Sequence, residues 1–411
     1  MATVVAEEHW QQVYRHLHAH PELSGSEHAT ADLVAQELRS LPGWDVTVGV
    51  GGTGVVGVLR GAPGPVIWLR ADMDALPVQE ETDLEYASTV PGVMHACGHD
   101  FHVAALLSAC AALAADNGVP GTVVAIFQPA EETGSGAKAM LDDGLLEKVP
   151  SPSICLGQHV SPLPAGLIFT RGGPLMAAAD SVRVSLTGEG GHASTPHMAV
   201  DSLAMAASLV LRLQALTARQ ASLPTAPVLT AAALHAGKRA NIIAESAELL
   251  LSLRTFTPGS RREMLEAIDR IAAAEATAAG ARSAPTVEIF DSFPLTVNTP
   301  ADTERVMAEL TACGLTVFPM PRPITGSEDF GVLGSAAGCP SVFWHIGGVD
   351  PSRFTSEDQE LLLGEGRLPS RMPANHSPRF APDPGKSLPP AVAALMAAAR
   401  AELECTKQRE L

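Results

Sequence analysis

Thr122-Val123-Val124-Ala125-Ile126-Phe127 is an apolar, β-branched run that stops at Gln128-Pro129-Ala130-Glu131-Glu132-Thr133-Gly134. A short run of this kind, closed by turn residues, predicts a strand buried on both faces. Upstream, an alanine-rich stretch over 101–116 predicts a helix, with Asn117-Gly118 as its stop signal. Downstream, 137–145 reads as a helix and 153–159 as a further strand. Strand and helix in alternation predict an α/β domain with helices packed on a largely parallel or mixed sheet.

The same rhythm extends outward. Residues 7–41 have helical spacing, broken at His20-Pro21-Glu22, and 45–50, 54–59 and 66–69 read as strands. Gly49-Val50-Gly51-Gly52-Thr53-Gly54 satisfies G-x-G-x-x-G, but β-like residues follow where a phosphate-binding helix would start, so a glycine-rich hairpin is expected. The middle of the chain reads β-α-β-β-α-β: strand 181–187, helix 200–219, strands 227–234 and 247–256, helix 261–279, strand 286–290. That order is the split-βαβ sandwich. Helix 301–313, strand 341–346 and helix 391–403 then resume the first pattern. The expected architecture is a discontinuous α/β domain, 1–176 and 293–411, with a ferredoxin-like α+β domain inserted at 177–292.

The chain has 411 residues, 46% of them hydrophobic and 18% charged, a composition for folded globular domains. With 27 Lys+Arg against 45 Asp+Glu the formal charge is −18, which argues against nucleic acid and anionic membrane as partners. Aromatic residues at 4% are too few for a base-stacking platform. The N-terminus lacks the basic start and apolar stretch of a secretory signal, and no apolar run is long enough to span a bilayer. Cys97, Cys110, Cys155, Cys313, Cys339 and Cys405 form no CxxC pair. The pattern predicts a reduced, cytoplasmic protein.

The chemistry concentrates in Met94-His95-Ala96-Cys97-Gly98-His99-Asp100-Phe101-His102. Thiol, imidazole and carboxylate crowd one turn before a helix, where the side chains are expected to point outward. Thiolate plus imidazole suits Zn²⁺ and tolerates Mn²⁺, Co²⁺ or Ni²⁺. The plainer alternative is a capped helix start with surface-lying histidines. Glu131-Glu132 follows a strand, at the sheet end where open α/β proteins place ligands. Two adjacent carboxylates there can diverge, one toward a metal and one toward substrate; the alternative is a solvated acidic loop. His159 and His376 could complete a site at the same edge.

Taken together, His18–Leu23 (HAHPEL), Leu69–Pro77 (LRADMDALP), Met94–Asp100 (MHACGHD) and Phe127–Glu132 (FQPAEE) resemble the N-acyl-amino-acid amidohydrolases. This group holds hippurate hydrolases, bacterial aminoacylases and indole-acetyl-amino-acid hydrolases, within the clan of dinuclear metallopeptidases. Gly190–His197 (GGHASTPH), Lys238–Ile243 (KRANII), Gly326–Phe330 (GSEDF) and Asn375–Phe380 (NHSPRF) continue the match in the family's order. The resemblance implies two divalent metals, Zn or Mn with Co or Ni as substitutes, on Cys97, His99, Glu132, His159 and His376. It implies Glu131 as general base, Asp72 as an orienting acid, and His192 as an electrophile near the substrate carbonyl. Asn241 and Arg254 are implied for the substrate carboxylate. Other branches offer a histidine ligand where this chain has Arg70; His16, His18, His95 and His102 take no ligand role, and His345 is expected to be a core histidine. The implied activity is hydrolysis of N-acyl-L-amino acids, small-molecule substrates, by a homodimer paired through the inserted domain. A carboxypeptidase or dipeptidase with the same metals is the alternative.

Overall fold

The computed structural model of the chain describes residues 2–116, 119–218, 226–365 and 368–404. The predicted helix stop at Asn117-Gly118, the helix end at Arg219, and Cys405 lie outside them. The chain divides into two units, one formed by Met1–Leu175, Val297–Pro321 and Asp329–Leu411, the other by Met176–Thr296 and Arg322–Glu328.

The first unit opens with α1 (Ala2–Ala19) and α2 (His28–Ser40), then strands β1 (Trp44–Val50), β2 (Gly54–Arg60) and β3 (Ala62–Asp72). Helix α3 (His99–Ala115), β4 (Pro120–Gln128) and β5 (Ile154–Pro164) follow. The eight-stranded sheet runs β1-β2-β4-β3-β5, then Ser341–Val349, Leu167–Thr170 and Thr316–Pro319. β4, β3, β5 and Ser341–Val349 are mutually parallel, and β1 and β2 are antiparallel at one side. The α/β class is therefore as the sequence predicts. Val50 pairs with Gly54 across β1 and β2, so the G-x-G-x-x-G stretch is a hairpin. β4 is buried at almost every position, which is what its unbroken apolar run requires.

α3 is apolar on all sides and is buried along most of its length, packed against α1, the sheet and Pro384–Glu404. The last helix departs from the sequence expectation: it starts at Pro384, ahead of Pro389 and Pro390, instead of after them. Pro384 takes the first turn and Asp383 Oδ1 accepts from Lys386 N at 3.1 Å, so the helix start is capped before either interior proline is reached. Strands Leu167–Thr170 and Thr316–Pro319 have four residues each and lack a readable period.

In the second unit, Ala178–Thr187 lies between Ser246–Thr255 and Thr286–Phe293, and Val228–Ala236 is an outer strand. All pairs are antiparallel. Helices Ser202–Ala218 and Pro258–Ala278 cover one face, burying Val182, Val184, Leu249, Leu251, Leu209 and Ile268. Strand order and two crossover helices are those of a ferredoxin-like sandwich.

Candidate metal centre

β3 ends at Asp72 and β4 at Gln128, in register, so the parallel strands deliver Asp72, Asp74 and the Pro129–Glu132 turn to one sheet edge. His159 lies on β5, and the segment before α3 brings Cys97 and His99. None of these groups points into solvent as the sequence suggested: His95, Cys97, His99, His102, Glu131 and His159 are all buried. Gly98 makes the turn possible with φ 87°, and a Cβ there would come within 2.5 Å of Val160. A plain capped helix start and a solvated acidic loop are thereby excluded.

The proton positions follow from the surrounding hydrogen bonds. His99 Nδ1 lies 3.1 Å from Asp74 Oδ1, so that nitrogen carries the proton and Nε2 faces the cluster. His159 Nδ1 donates to Val160 O at 2.7 Å and likewise leaves Nε2 free, 3.4 Å from Cys97 Sγ. His376 Nε2 is 3.4 Å from Glu132 Oε1, and His99 Nε2 is 3.8 Å from the same oxygen and 4.0 Å from Glu131 Oε2. Cys97, His99 and His159 form one group of converging donor atoms, and Cys97, Glu132 and His376 a second; they share the sulfur. His99 Nε2 and Glu132 Oε1 are buried and make no hydrogen bond. Buried polar atoms are ordinarily satisfied, so these two fit a cation between them.

The electrostatics agree. Burial pushes the Cys97 thiol well up, and the Glu132, Glu131 and Asp72 carboxylates push it further. Burial disfavours the His99 imidazolium, but Asp72, Asp74 and Glu132 outweigh it and raise the group to about 10. The site thus holds more negative charge than its own cations balance, which is the condition a divalent ion relieves. Asp74, to which the sequence reading gives no role, is the orienting partner of His99. Asp74→Asn is expected to weaken metal affinity ~10- to 100-fold, measured by competition with a coloured chelator.

Asp72 accepts from Arg70 Nη1 at 2.7 Å and holds His102 Nδ1 at 2.5 Å; His102 Nε2 accepts from Val160 N at 2.7 Å. This relay ties β3 to the β5 backbone beside His159. Arg70 is buried and also donates to Gln128 and Asp329. His376 stands in the left-handed region, φ 69°, with its N–H on Ala96 O at 2.8 Å. Its neighbour Asn375 donates to Cys97 O at 3.1 Å and Val160 O at 3.2 Å, a linkage that only adjacency to His376 hinted at. His345 pairs in register with His159 and is buried, held by Ser161 Oγ at 3.0 Å; burial lowers it to about 4.

His192, Asn241 and Arg254 belong to the second unit. His192 Nδ1 accepts from Ser194 N at 3.1 Å, so Nε2 carries the proton. Ile242 pairs with His192, and Asn241 O accepts from Ala193 N at 3.1 Å. His192 and Asn241 thereby line one hollow of about 650 Å³ with Lys238, Arg239 and Glu245. Arg254 is half-buried on Ser246–Thr255 and donates to Ser327 Oγ at 2.5 Å. Among the described residues no carboxylate pairs with it.

Thiol, imidazole and carboxylate gathered at the carboxyl ends of parallel strands define a candidate metal-binding centre. The chain belongs to peptidase family M20/M25/M40, whose profile matches residues 68–363. It is 39% identical over 373 residues to Thermostable carboxypeptidase 1 of Saccharolobus solfataricus, covering 86% of this chain and 92% of that one. It is 37% identical over 343 residues to Hippurate hydrolase of Campylobacter jejuni, covering 81% and 87%. The Bacillus subtilis YXEP protein, described as a dinuclear metal binding peptidase from the M20 family, superposes with a TM-score of 0.78 at 29% identity, covering 97% of this chain and 99% of that one. Among the described residues no helix is long and apolar enough to cross a membrane.

Proposed function

We propose that the protein hydrolyses the amide bond of N-acyl-L-amino acids, releasing a carboxylic acid and a free amino acid. The observation that carries the reading is the buried carboxylate of Glu131 next to Glu132, which belongs to the shared-sulfur cluster. Cys97, His99, Glu132, His159 and His376 are assigned to two divalent ions, zinc or manganese. The chemistry such ions supply is polarisation of an amide carbonyl and a lowered pKa for water. Glu131, the acid not assigned as a ligand, takes the proton from water and passes it to the departing amine. Asp72 keeps His102, and through it the β5 backbone, in place.

From the second unit, His192 offers its Nε2–H to the carbonyl oxygen. Arg254, a half-buried guanidinium that has no carboxylate partner among the described residues, is assigned to the substrate carboxylate, and Asn241 is assigned the same role. Arg254→Ala is then expected to raise KM for an N-acyl amino acid at least tenfold, and to leave an N-acyl amine lacking the carboxylate unaffected. Arg254→Lys recovers only part, since a point charge replaces a planar fork.

The carboxypeptidase reading shares all these groups and is supported by the carboxypeptidase relative. A panel of hippurate, N-acetyl-methionine, a long-chain N-acyl amino acid and a dipeptide, on metal-loaded and chelator-stripped protein, separates them. Cleavage of the dipeptide alone refutes the amidohydrolase reading. A cytoplasmic homodimer completes the proposal. Val228–Ala236 is an outer strand, and Leu211 and Met198 are each 73% exposed on the same unit. A monomeric mass in light scattering would exclude the dimer.

A further inference from the structure

The segment after the His20-Pro21-Glu22 break has no part in the chemistry above, yet it reaches the catalytic turn. Glu27 is fully buried, and its carboxylate accepts three hydrogen bonds: Gly25 N at 2.8 Å, Thr53 Oγ1 at 2.6 Å and Ala130 N at 2.8 Å. Ala130 is one of three non-glycine residues described with positive φ, at 49°. Two residues on, Glu132 N donates to Asp74 Oδ2 at 2.9 Å, and that oxygen also accepts from Ser24 Oγ at 2.6 Å. The amides of Ala130 and Glu132, on either side of Glu131, are therefore each held by a different buried carboxylate. Both anchors are tied to the same short loop, Ser24–Glu27.

We infer that Glu27 is a positioning residue for Glu131: it holds Ala130 in the left-handed conformation from which the Glu131 carboxylate reaches the donor cluster, 4.0 Å from His99 Nε2. A non-glycine residue in that region is strained, and the strain persists only where the surroundings over-determine it. The hydrogen bond from Ala130 N supplies that constraint from the residue just before α2, 103 residues away in the chain. Without it the turn relaxes toward negative φ and carries Glu131 away from the cluster, while Glu132, still held through its amide by Asp74, keeps its place among the metal donors. The inference rests on Glu131 being the general base.

The test compares Glu27→Ala, Glu27→Gln and Glu27→Asp in metal-loaded full-length protein, with kcat, KM and metal content measured on each. Glu27→Gln keeps an acceptor for Ala130 N and is expected to stay within about threefold of the parent kcat. Glu27→Ala is expected to lose kcat on the order of 100-fold, with KM within twofold and two metal equivalents retained. Glu27→Asp, one methylene short of the amide, falls between them and serves if the alanine variant does not fold. Ala130→Gly added to Glu27→Ala or Glu27→Asp should restore at least tenfold of the loss, because glycine adopts positive φ without strain. A rescue of that kind is not expected if Glu27 only stabilises the fold. Unchanged kcat in the alanine or aspartate variant, loss that tracks metal content, or no rescue by glycine overturns the inference. Glu131→Gln is measured alongside: if it stays active, the general-base reading itself fails; if it is dead while Glu27→Ala is normal, only the role of Glu27 fails.

Discussion

Glu131→Gln is expected to lower kcat on the order of 10³-fold while leaving metal content, KM and thermal midpoint close to the parent values. Gln keeps the shape and the acceptor oxygen of Glu131 but cannot take a proton, and general acid–base groups typically contribute ~10² to 10⁴ in rate. Glu131 is only 5% exposed, so an isosteric change disturbs little else. Steady-state kinetics with metal analysis on the same preparation reads the result. An active variant would move the proton transfer to another group; a dead variant that has lost its metal would make Glu131 a ligand.

Cys97→Ala should have a comparable effect by a different route. Cys97 belongs to both donor groups, with His99 and His159 on one side and Glu132 and His376 on the other. Removing its sulfur takes one donor from each group at once, so metal retained after dialysis should fall more than about 100-fold, beyond the cost of losing a residue that only orients a ligand. The stabilisation that bound metal lends the folded state disappears with it, so added Zn²⁺ or Mn²⁺ no longer raises the melting temperature. His376→Ala removes a donor from one group alone and is expected to leave one equivalent bound. Two equivalents in Cys97→Ala, counted by elemental analysis, would refute the shared-sulfur arrangement.

Much of this site was readable in the sequence, because its acids and histidines stand at strand ends and beside a helix start, where periodicity stops and chemistry begins. What periodicity could not show was the direction of the side chains. The Cys97 turn reads as exposed because it is polar, yet its groups are buried, with His99 Nδ1 held by Asp74 and Nε2 left for the cluster. Glu27 was invisible for the same reason: its partner Ala130 is an ordinary residue whose importance lies in a dihedral angle. In the fold, the long apolar strands were legible, but the four-residue strands near Leu167 and Thr316 were too short to carry a pattern. Pro389-Pro390 masked the true start of the last helix.

The place of Ser341–Val349 in the sheet bears on how the protein is made. That strand lies directly beside β5, although 176 residues separate Pro164 from Ser341 and the whole second unit is encoded between them. On the ribosome β5 can pair early with β3, but its other edge stays open until the late strand emerges. An apolar strand with a free edge is prone to pair with another chain. The same delay holds for His376, so a nascent chain presents its thiol and first imidazoles well before the ligand set is complete. On the proposed ligand assignment metal insertion is an event of finished chains, and the β5 edge stays open longest during the synthesis of the intervening unit.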